Sequence, residues 1–268
     1  MEDNNLLYAL LLTVFAGLST GIGSLIAFVA RKTSKAFLAF SLGLSAGVMV
    51  YVSFVELFAN STQGLAEEYG IKAGTAYSVL ALFGGIILIA LIDLLVPSDD
   101  NPHELKNVED MDNEALKTKQ LHRVGIFTAV ALALHNFPEG VATFITAYQD
   151  SSLGLAVAVA VAIHNIPEGI AVSVPVYYST GSRKKAFWYS FLSGLAEPIG
   201  GILAYLILAP YMTNTMMNVL LAAISGVMIY ISVDELLPSA RAYGRAHHSI
   251  IGFIFGMGIM ALSLILMI

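Results

Sequence analysis

The chain has no cysteine, so it forms no disulfides and offers no thiolate to a metal ion. Charge is also scarce: 12% of its 268 residues are Asp, Glu, Lys or Arg, where about 25% is usual for a soluble domain. Hydrophobic residues make up 57%, and the mean hydropathy is +0.77. This composition excludes a soluble globular domain. The start of the chain, Met1-Glu2-Asp3, is acidic rather than basic as in a secretory signal, so we expect the first apolar stretch to be retained.

Eight apolar stretches are each long enough to cross a bilayer, which takes about 17–25 residues. They predict an all-α, multi-pass protein of the cell (inner) membrane, with one transmembrane domain over residues 1–268 and no nucleic-acid partner. The predicted spans are residues 6–30, 36–58, 75–96, 125–148, 153–178, 187–208, 216–238 and 249–268, and a charged loop covers 97–124.

Basic residues predict the orientation of these spans. Twelve of the 13 Lys and Arg residues lie in the loops that follow spans one, three, five and seven, and Lys72 is the exception. Cytoplasmic loops carry such an excess of basic residues. We therefore expect those four loops in the cytoplasm and both termini on the extracellular or periplasmic side.

Two pairs of segments repeat within the chain. Residues 45–57 match 224–236 at seven of 13 positions, and residues 133–142 match 162–171 at seven of ten. In the predicted topology the two members of each pair run in opposite directions. Inverted repeats of this kind are typical of secondary transporters, which bind their substrate near the middle of the membrane.

Acidic residues occur within the predicted spans, but no Lys or Arg does. An ionised residue at the bilayer centre costs about 2.5–3.5 kcal/mol even on insertion scales. Protons or bound cations must therefore offset these charges, and a carrier of organic anions, which would need basic residues here, is disfavoured. The seven are Glu56, Asp93, Glu139, Glu168, Glu197, Asp234 and Glu235.

The motif H-N-x-P-E-G occurs twice, at 135–140 and 164–169. In each copy the His, Asn and Glu share one helix face, at a depth of roughly 15 Å, near the midplane. Nitrogen and oxygen ligands without thiolate suit zinc, ferrous iron, manganese or cobalt. The predicted metal ligands are His135, Asn136, Glu139, His164, Asn165 and Glu168, with Glu197 at a similar depth in span six.

Other candidates have two interpretations each. Met49 points toward the centre, either as a soft ligand or as a packing residue. Glu56 lies near the predicted outer face, and Asp234 and Glu235 lie near the inner face. They are either carboxylates at the entrance and exit of a metal path or solvated acids at the membrane interface. Four histidines in the predicted cytoplasmic loops are either solvated or serve to hand on or sense metal; these are His103, His122, His247 and His248.

Essentially the whole chain resembles the ZIP (Zrt/Irt-like) metal transporter family, in particular its bacterial zinc transporters. The resemblance rests on four segments that occur in the family's order: HNFPEGVATFITA, HNIPEGIAV, SGLAEP and SVDELLP. The resemblance implies eight transmembrane helices in a 3+2+3 inverted-repeat architecture. It also implies uptake of Zn²⁺, and of Fe²⁺, Mn²⁺, Co²⁺ or Cd²⁺, through a binuclear site, with no prosthetic group, and a homodimer.

The resemblance further implies how the ligands are divided. The first metal position uses His135, Glu139, His164 and Glu168, with Met49 nearby. The second uses Asn136, Glu139, Asn165, Glu168 and Glu197, and Asp93, Asp234 and Glu235 match the family's release path. Some members carry Gln-Asp where this chain has His164-Asn165, which makes the site here less acidic.

A membrane-embedded di-metal enzyme is the alternative, because paired carboxylates and histidines also serve hydrolytic and redox metals. The chain has no H-E-x-x-H protease motif. We therefore predict a transporter and not an enzyme.

Overall fold

A computed structural model describes residues 2–29, 35–94, 133, 136–208, 213–242 and 246–267. Within these ranges the chain is helical apart from short connections, and no β-strand is present. We number the helices α1 to α8. The bounds are Glu2–Val29 for α1, Lys35–Tyr51, Val52–Phe58 and Ala59–Tyr69 for the three parts of α2, Ile71–Leu94 for α3, 136–149 for α4, Ser151–Thr180 for α5, Arg183–Gly194 and Ala196–Leu208 for α6, Asn214–Ile231, Ser232–Leu236 and Leu237–Ala242 for α7, and Ala246–Met267 for α8.

Seven of these helices, all but α4, are long and apolar enough to cross a membrane. The predicted fourth span, 125–148, lies only partly within the described residues, which cover its end as α4. The predicted loop 97–124 lies outside them. The helical, membrane-spanning class is therefore confirmed.

One helix continues well beyond its predicted span. We expected span two to end at residue 58, but α2 runs on to Tyr69. Residues 59–69 are too polar for a hydropathy pattern to include, yet the helix continues through Gly64 and ends only at Gly70, which takes a positive φ of 83°. A positive φ is readily adopted only by glycine, and this backbone conformation ends the helix there.

Caps define the short connections around α5. Asp150 alone separates α4 from α5, and its side chain accepts hydrogen bonds from the backbone N–H groups of Ser152 and Leu153, at 2.8 and 3.0 Å. At the other end Gly181, with φ 63°, closes α5, and Ser182 caps α6. Such N-cap hydrogen bonds satisfy otherwise orphaned backbone donors. The two motif helices are thereby held as adjacent antiparallel neighbours.

The repeat reappears as matched contacts between helices. A Cβ on Gly47 of α2 would overlap the backbone oxygen of Phe253 in α8, and one on Gly226 of α7 would overlap that of Leu82 in α3. Gly47 and Gly226 are equivalent positions of the sequence repeat. The packing of α2 on α8 is therefore reproduced by α7 on α3.

The same correspondence holds around the motif helices. Gly140 of α4 lies against the backbone oxygen of Glu197 in α6, and Gly169 of α5 lies against that of Thr20 in α1. Since Gly140 and Gly169 are equivalent, Thr20 occupies in α1 the place that Glu197 occupies in α6. The contacts thus pair α1 with α6, α2 with α7, α3 with α8 and α4 with α5.

Two groups of helices follow from this packing. One contains α1, α4, α5 and α6, and the other contains α2, α3, α7 and α8; α2 also packs on α5 and so joins the groups. The small residues at these contacts let the helix backbones approach closely, as is common in membrane bundles.

Both members of the longer repeat contain π-helical turns. Val52–Phe58 interrupts α2, and Ser232–Leu236 interrupts α7 at the equivalent place. In α6 the break is a turn at Leu195, just before Glu197 and Pro198. Proline frees a carbonyl one turn earlier, here that of Gly194. By contrast, α5 continues unbroken through Pro167.

Candidate functional site

The polar motif side chains that the structure describes are buried, together with Glu197 of α6. Six of the polar side chains that the sequence predicts as ligands are described, and all six have 0% exposure: Asn136, Glu139, His164, Asn165, Glu168 and Glu197. His135 lies outside the described residues. Polar side chains are buried at this density only where partners or a bound ion compensate their lost hydration.

Glu139 and His164 connect the two motifs. The Oε1 atom of Glu139 on α4 and the Nε2 atom of His164 on α5 are 3.0 Å apart. Both side chains are completely buried, so the pair joins a carboxylate and an imidazole away from water. An imidazole and a carboxylate at this separation are two of the ligand types that zinc takes in proteins.

The two motif asparagines bind equivalent backbone carbonyls. Asn165 donates from Nδ2 to the oxygen of Ala16 in α1 at 2.9 Å, and Asn136 donates from Nδ2 to the oxygen of Ser193 in α6 at 3.3 Å. Asn165 also donates to Oε1 of Glu197. In both asparagines the buried Oδ1 has no hydrogen-bond partner among the described residues. The amide nitrogens are thus used for structure, and the oxygens are available as ligands.

Ser45 makes a contact that sequence reasoning missed. Its Oγ donates to Oε1 of Glu168 at 3.1 Å, from α2 in the other helix group. Met49, four residues later and so on the same helix face, is fully buried. No sequence signal marked Ser45, because a serine in an apolar helix most often bonds to its own backbone.

The predicted ligands are brought together as pairs. Within the described ranges, which leave out His135, no three His, Asp or Glu side chains are grouped so as to hold a metal ion. The pairs are Glu139 with His164 and Asn165 with Glu197, while Glu168 is bonded to Ser45.

The outlying candidates lie apart from these pairs. Glu56 is buried and accepts a hydrogen bond from Asn60 at 3.0 Å. Tyr230 lies with its hydroxyl 3.5 Å from Oδ2 of Asp93. Asp234 is exposed on the π-helical turn of α7 that also carries Glu235, whose side chain lies outside the described part. Of the four loop histidines, His247 and His248 are exposed, and His103 and His122 fall outside the described ranges.

Comparison with known proteins decides the family. Residues 95–264 match the family model described as ZIP Zinc transporter. Over 266 residues the chain is 56% identical to the zinc transporter ZupT of Oceanobacillus iheyensis, covering 98% of this chain and 99% of that protein. It is 52% identical to the ZupT of Clostridium perfringens and 55% identical to that of Streptococcus mutans, each over 99% of this chain and at least 98% of the relative.

The chain belongs to the ZIP zinc transporter family. ZIP proteins are multi-pass membrane proteins, which agrees with the seven apolar helices of the described residues. Membership also separates this chain from the membrane di-metal enzymes, the alternative that the ligand types alone had left open. The prediction of a transporter is confirmed.

Proposed function

We propose that this ZIP protein takes up Zn²⁺ into the cytoplasm, and Fe²⁺, Mn²⁺, Co²⁺ and Cd²⁺ as related substrates, through a binuclear site at the two H-N-x-P-E-G motifs. The observation that carries the proposal is the burial of Glu139, Glu168 and Glu197 at 0% exposure in a stretch of sequence without basic residues. No Lys or Arg occurs between residues 124 and 182 or between 186 and 240. A cation is the natural counter-charge for such carboxylates. The relatives that match over nearly the full length are named as zinc transporters.

We divide the ligands between two positions. The first consists of His135, Glu139, His164 and Glu168, with Met49 nearby, and the 3.0 Å approach of Glu139 to His164 supports it. The second consists of Asn136, Glu139, Asn165, Glu168 and Glu197, and the contact of Asn165 with Glu197 supports it. The amide oxygens of both asparagines have no partner among the described residues, as ligand atoms should before metal binds.

The outlying acids are assigned to the path. We place Glu56 at the extracellular entrance and Asp93, Asp234 and Glu235 on the cytoplasmic release route. This follows from the orientation that the basic loops predict, with both termini outside. The two helix groups described above are suited to move against each other around the site, as in other transporters built from inverted repeats. We also propose a homodimer, which crosslinking of the protein in native membranes would test.

The membrane potential favours import. Moving a divalent cation inward through 100 mV, negative inside, is worth about 4.6 kcal/mol. Uptake then needs no other energy source as long as the opposing zinc concentration gradient is worth less than this.

Zinc uptake into vesicles tests the proposal. The purified protein is reconstituted, and initial uptake of radioactive zinc is compared for wild type, Glu139→Ala and Glu168→Ala. We expect both variants to lose nearly all uptake, because each removes a ligand shared by the two metal positions. Glu67→Ala is the matched control: Glu67 is an exposed carboxylate on the polar end of α2, bonded only locally to Gln63. If both motif variants transport like this control, the site is assigned wrongly.

A further inference from the structure

Most buried serines of the described residues donate to backbone carbonyls, either of their own helix or, for Ser61 and Ser190, of another helix. Ser78, Ser225 and Ser232 donate to backbone carbonyls of their own helices, at 2.7 to 3.0 Å. This is the usual way for a buried helical serine to satisfy its hydroxyl. Ser45 instead donates to a side-chain carboxylate, Oε1 of Glu168 on another helix, at 3.1 Å, with both side chains at 0% exposure. Its hydroxyl is therefore committed to a carboxylate of the site.

General packing does not require a hydroxyl at position 45. The equivalent position in the second half is Ile224, although the neighbouring glycines Gly47 and Gly226 are shared and make equivalent contacts. A repeat that serves only helix packing accepts isoleucine there. The hydroxyl at position 45 is therefore explained by its bond to Glu168 and not by helix packing.

The bond also joins the two helix groups. Ser45 belongs to α2, which packs along α8, whereas Glu168 belongs to α5, which packs along α1. A carboxylate that binds metal with one oxygen is commonly oriented by a hydrogen bond to the other, and loss of such a partner typically lowers metal affinity or activity about 10- to 100-fold. A donor on the opposite group supplies this orientation only while α2 and α5 are arranged as here.

We propose that Ser45 is a positioning residue for Glu168: its hydroxyl, contributed from the opposite helix group, orients the carboxylate and raises zinc affinity in this arrangement of the helices. The inference rests on the proposed function of the motif site. It makes tight binding depend on the relative position of the two groups, so that separating α2 from α5 weakens the hold on the ion.

The experiment measures binding and transport separately. Zinc dissociation constants are determined by calorimetry on the purified protein, and KM and Vmax by uptake into vesicles, for Ser45→Ala, Ser45→Thr and wild type. We expect Ser45→Ala to raise Kd and KM about 10-fold or more, with Vmax not reduced, because a weaker hold does not slow release. Ser45→Thr keeps the hydroxyl and should restore most of the affinity.

Ser53→Ala is the matched control, since Ser53 is also fully buried on α2 but has no hydrogen-bond partner among the described residues. It should leave Kd and KM unchanged. Unchanged Kd and KM in Ser45→Ala, or equal losses in Ser45→Ala and Ser53→Ala, would overturn the inference. If Ser45→Ala does not yield folded protein, Ser45→Thr is compared with Ser45→Val, which has nearly the same shape but no hydroxyl; equal zinc affinity in these two would overturn it as well.

The two proposals fail in different ways. If wild type shows no zinc flux, the proposed uptake is wrong, and if Glu168→Gln retains the flux, the motif site is assigned wrongly, whatever Ser45 does. If wild type transports, Glu168→Gln does not, and Ser45→Ala binds zinc normally, only the role of Ser45 is wrong.

Discussion

Adding a single methyl group to a motif glycine should separate the helices that hold the site. In Gly140→Ala the new Cβ would overlap the backbone oxygen of Glu197, and in Gly169→Ala it would overlap that of Thr20. A backbone oxygen, unlike the end of a flexible side chain, moves only if its helix moves. We therefore expect α4 to shift against α6 in the first variant and α5 against α1 in the second.

The magnitude follows from two opposing effects. Overpacking a close contact costs about 1–3 kcal/mol, whereas alanine in place of a helical glycine stabilises by about 1 kcal/mol. Gly84 and Gly258 isolate the second effect, because an added Cβ meets nothing within 4 Å at either position. Relative to Gly84→Ala and Gly258→Ala, the motif variants should thus be less stable by about 1–3 kcal/mol, or roughly 2–12 °C at 2–4 °C per kcal/mol.

Thermal unfolding in detergent, followed by the recovery of monodisperse protein after heating, measures these differences. Zinc uptake by the protein that remains folded reports on the site. Gly140→Ala should also raise the KM for zinc, because it displaces Glu197 from Asn165. Equal melting temperatures for Gly140→Ala and Gly84→Ala would refute the close contact between α4 and α6.

Three further predictions concern the polar groups. Asn165→Ala should lower stability and zinc affinity more than Asn136→Ala, because Asn165 donates to both Ala16 and Glu197. A buried acceptor left without its donor costs about 1–3 kcal/mol. Calorimetry and melting curves on both variants test this order, and the reverse order contradicts it. Glu56→Gln should raise KM at low ionic strength with little change in Vmax, because an entrance carboxylate concentrates cations that salt then screens; an unchanged KM in 10 mM salt, on the order of a 30 Å screening length, removes Glu56 from the path. An inside-negative potassium diffusion potential should speed zinc uptake and an inside-positive one should slow it, in line with about 4.6 kcal/mol per 100 mV for a divalent ion; insensitivity to both signs contradicts net charge movement.

Much of the fold could be predicted because hydrophobic length is a local property. Apolar runs define membrane helices whatever their neighbours are, and seven of the predicted spans appear as helices apolar enough to cross a bilayer. The repeats were visible because equivalent helices kept the same residues, including the glycines that let backbones touch. The extension of α2 to Tyr69 was not predictable from hydropathy, since residues 59–69 are polar and helical at once.

Part of the candidate site was also predictable, because its two motifs can each be recognised within one short segment of sequence. The motifs at residues 135–140 and 164–169 were recognisable because they repeat and because their acidic residues lie in apolar spans without Lys or Arg. The sequence by itself thus determined that this is a multi-helix membrane protein with two related acidic and histidine-bearing motifs near its centre.

Only the tertiary structure decided how those motifs are held. It brought Glu139 to His164, set Asn165 on a carbonyl of α1, and placed Ser45 of α2 on Glu168 across 123 positions of sequence. It also showed that Thr20 packs against Gly169 as Glu197 packs against Gly140, although a threonine and a glutamate have different side chains. Such relations depend on which helices pack together and at what rotation, and a pattern read along one helix carries no information about the face that a distant helix turns toward it.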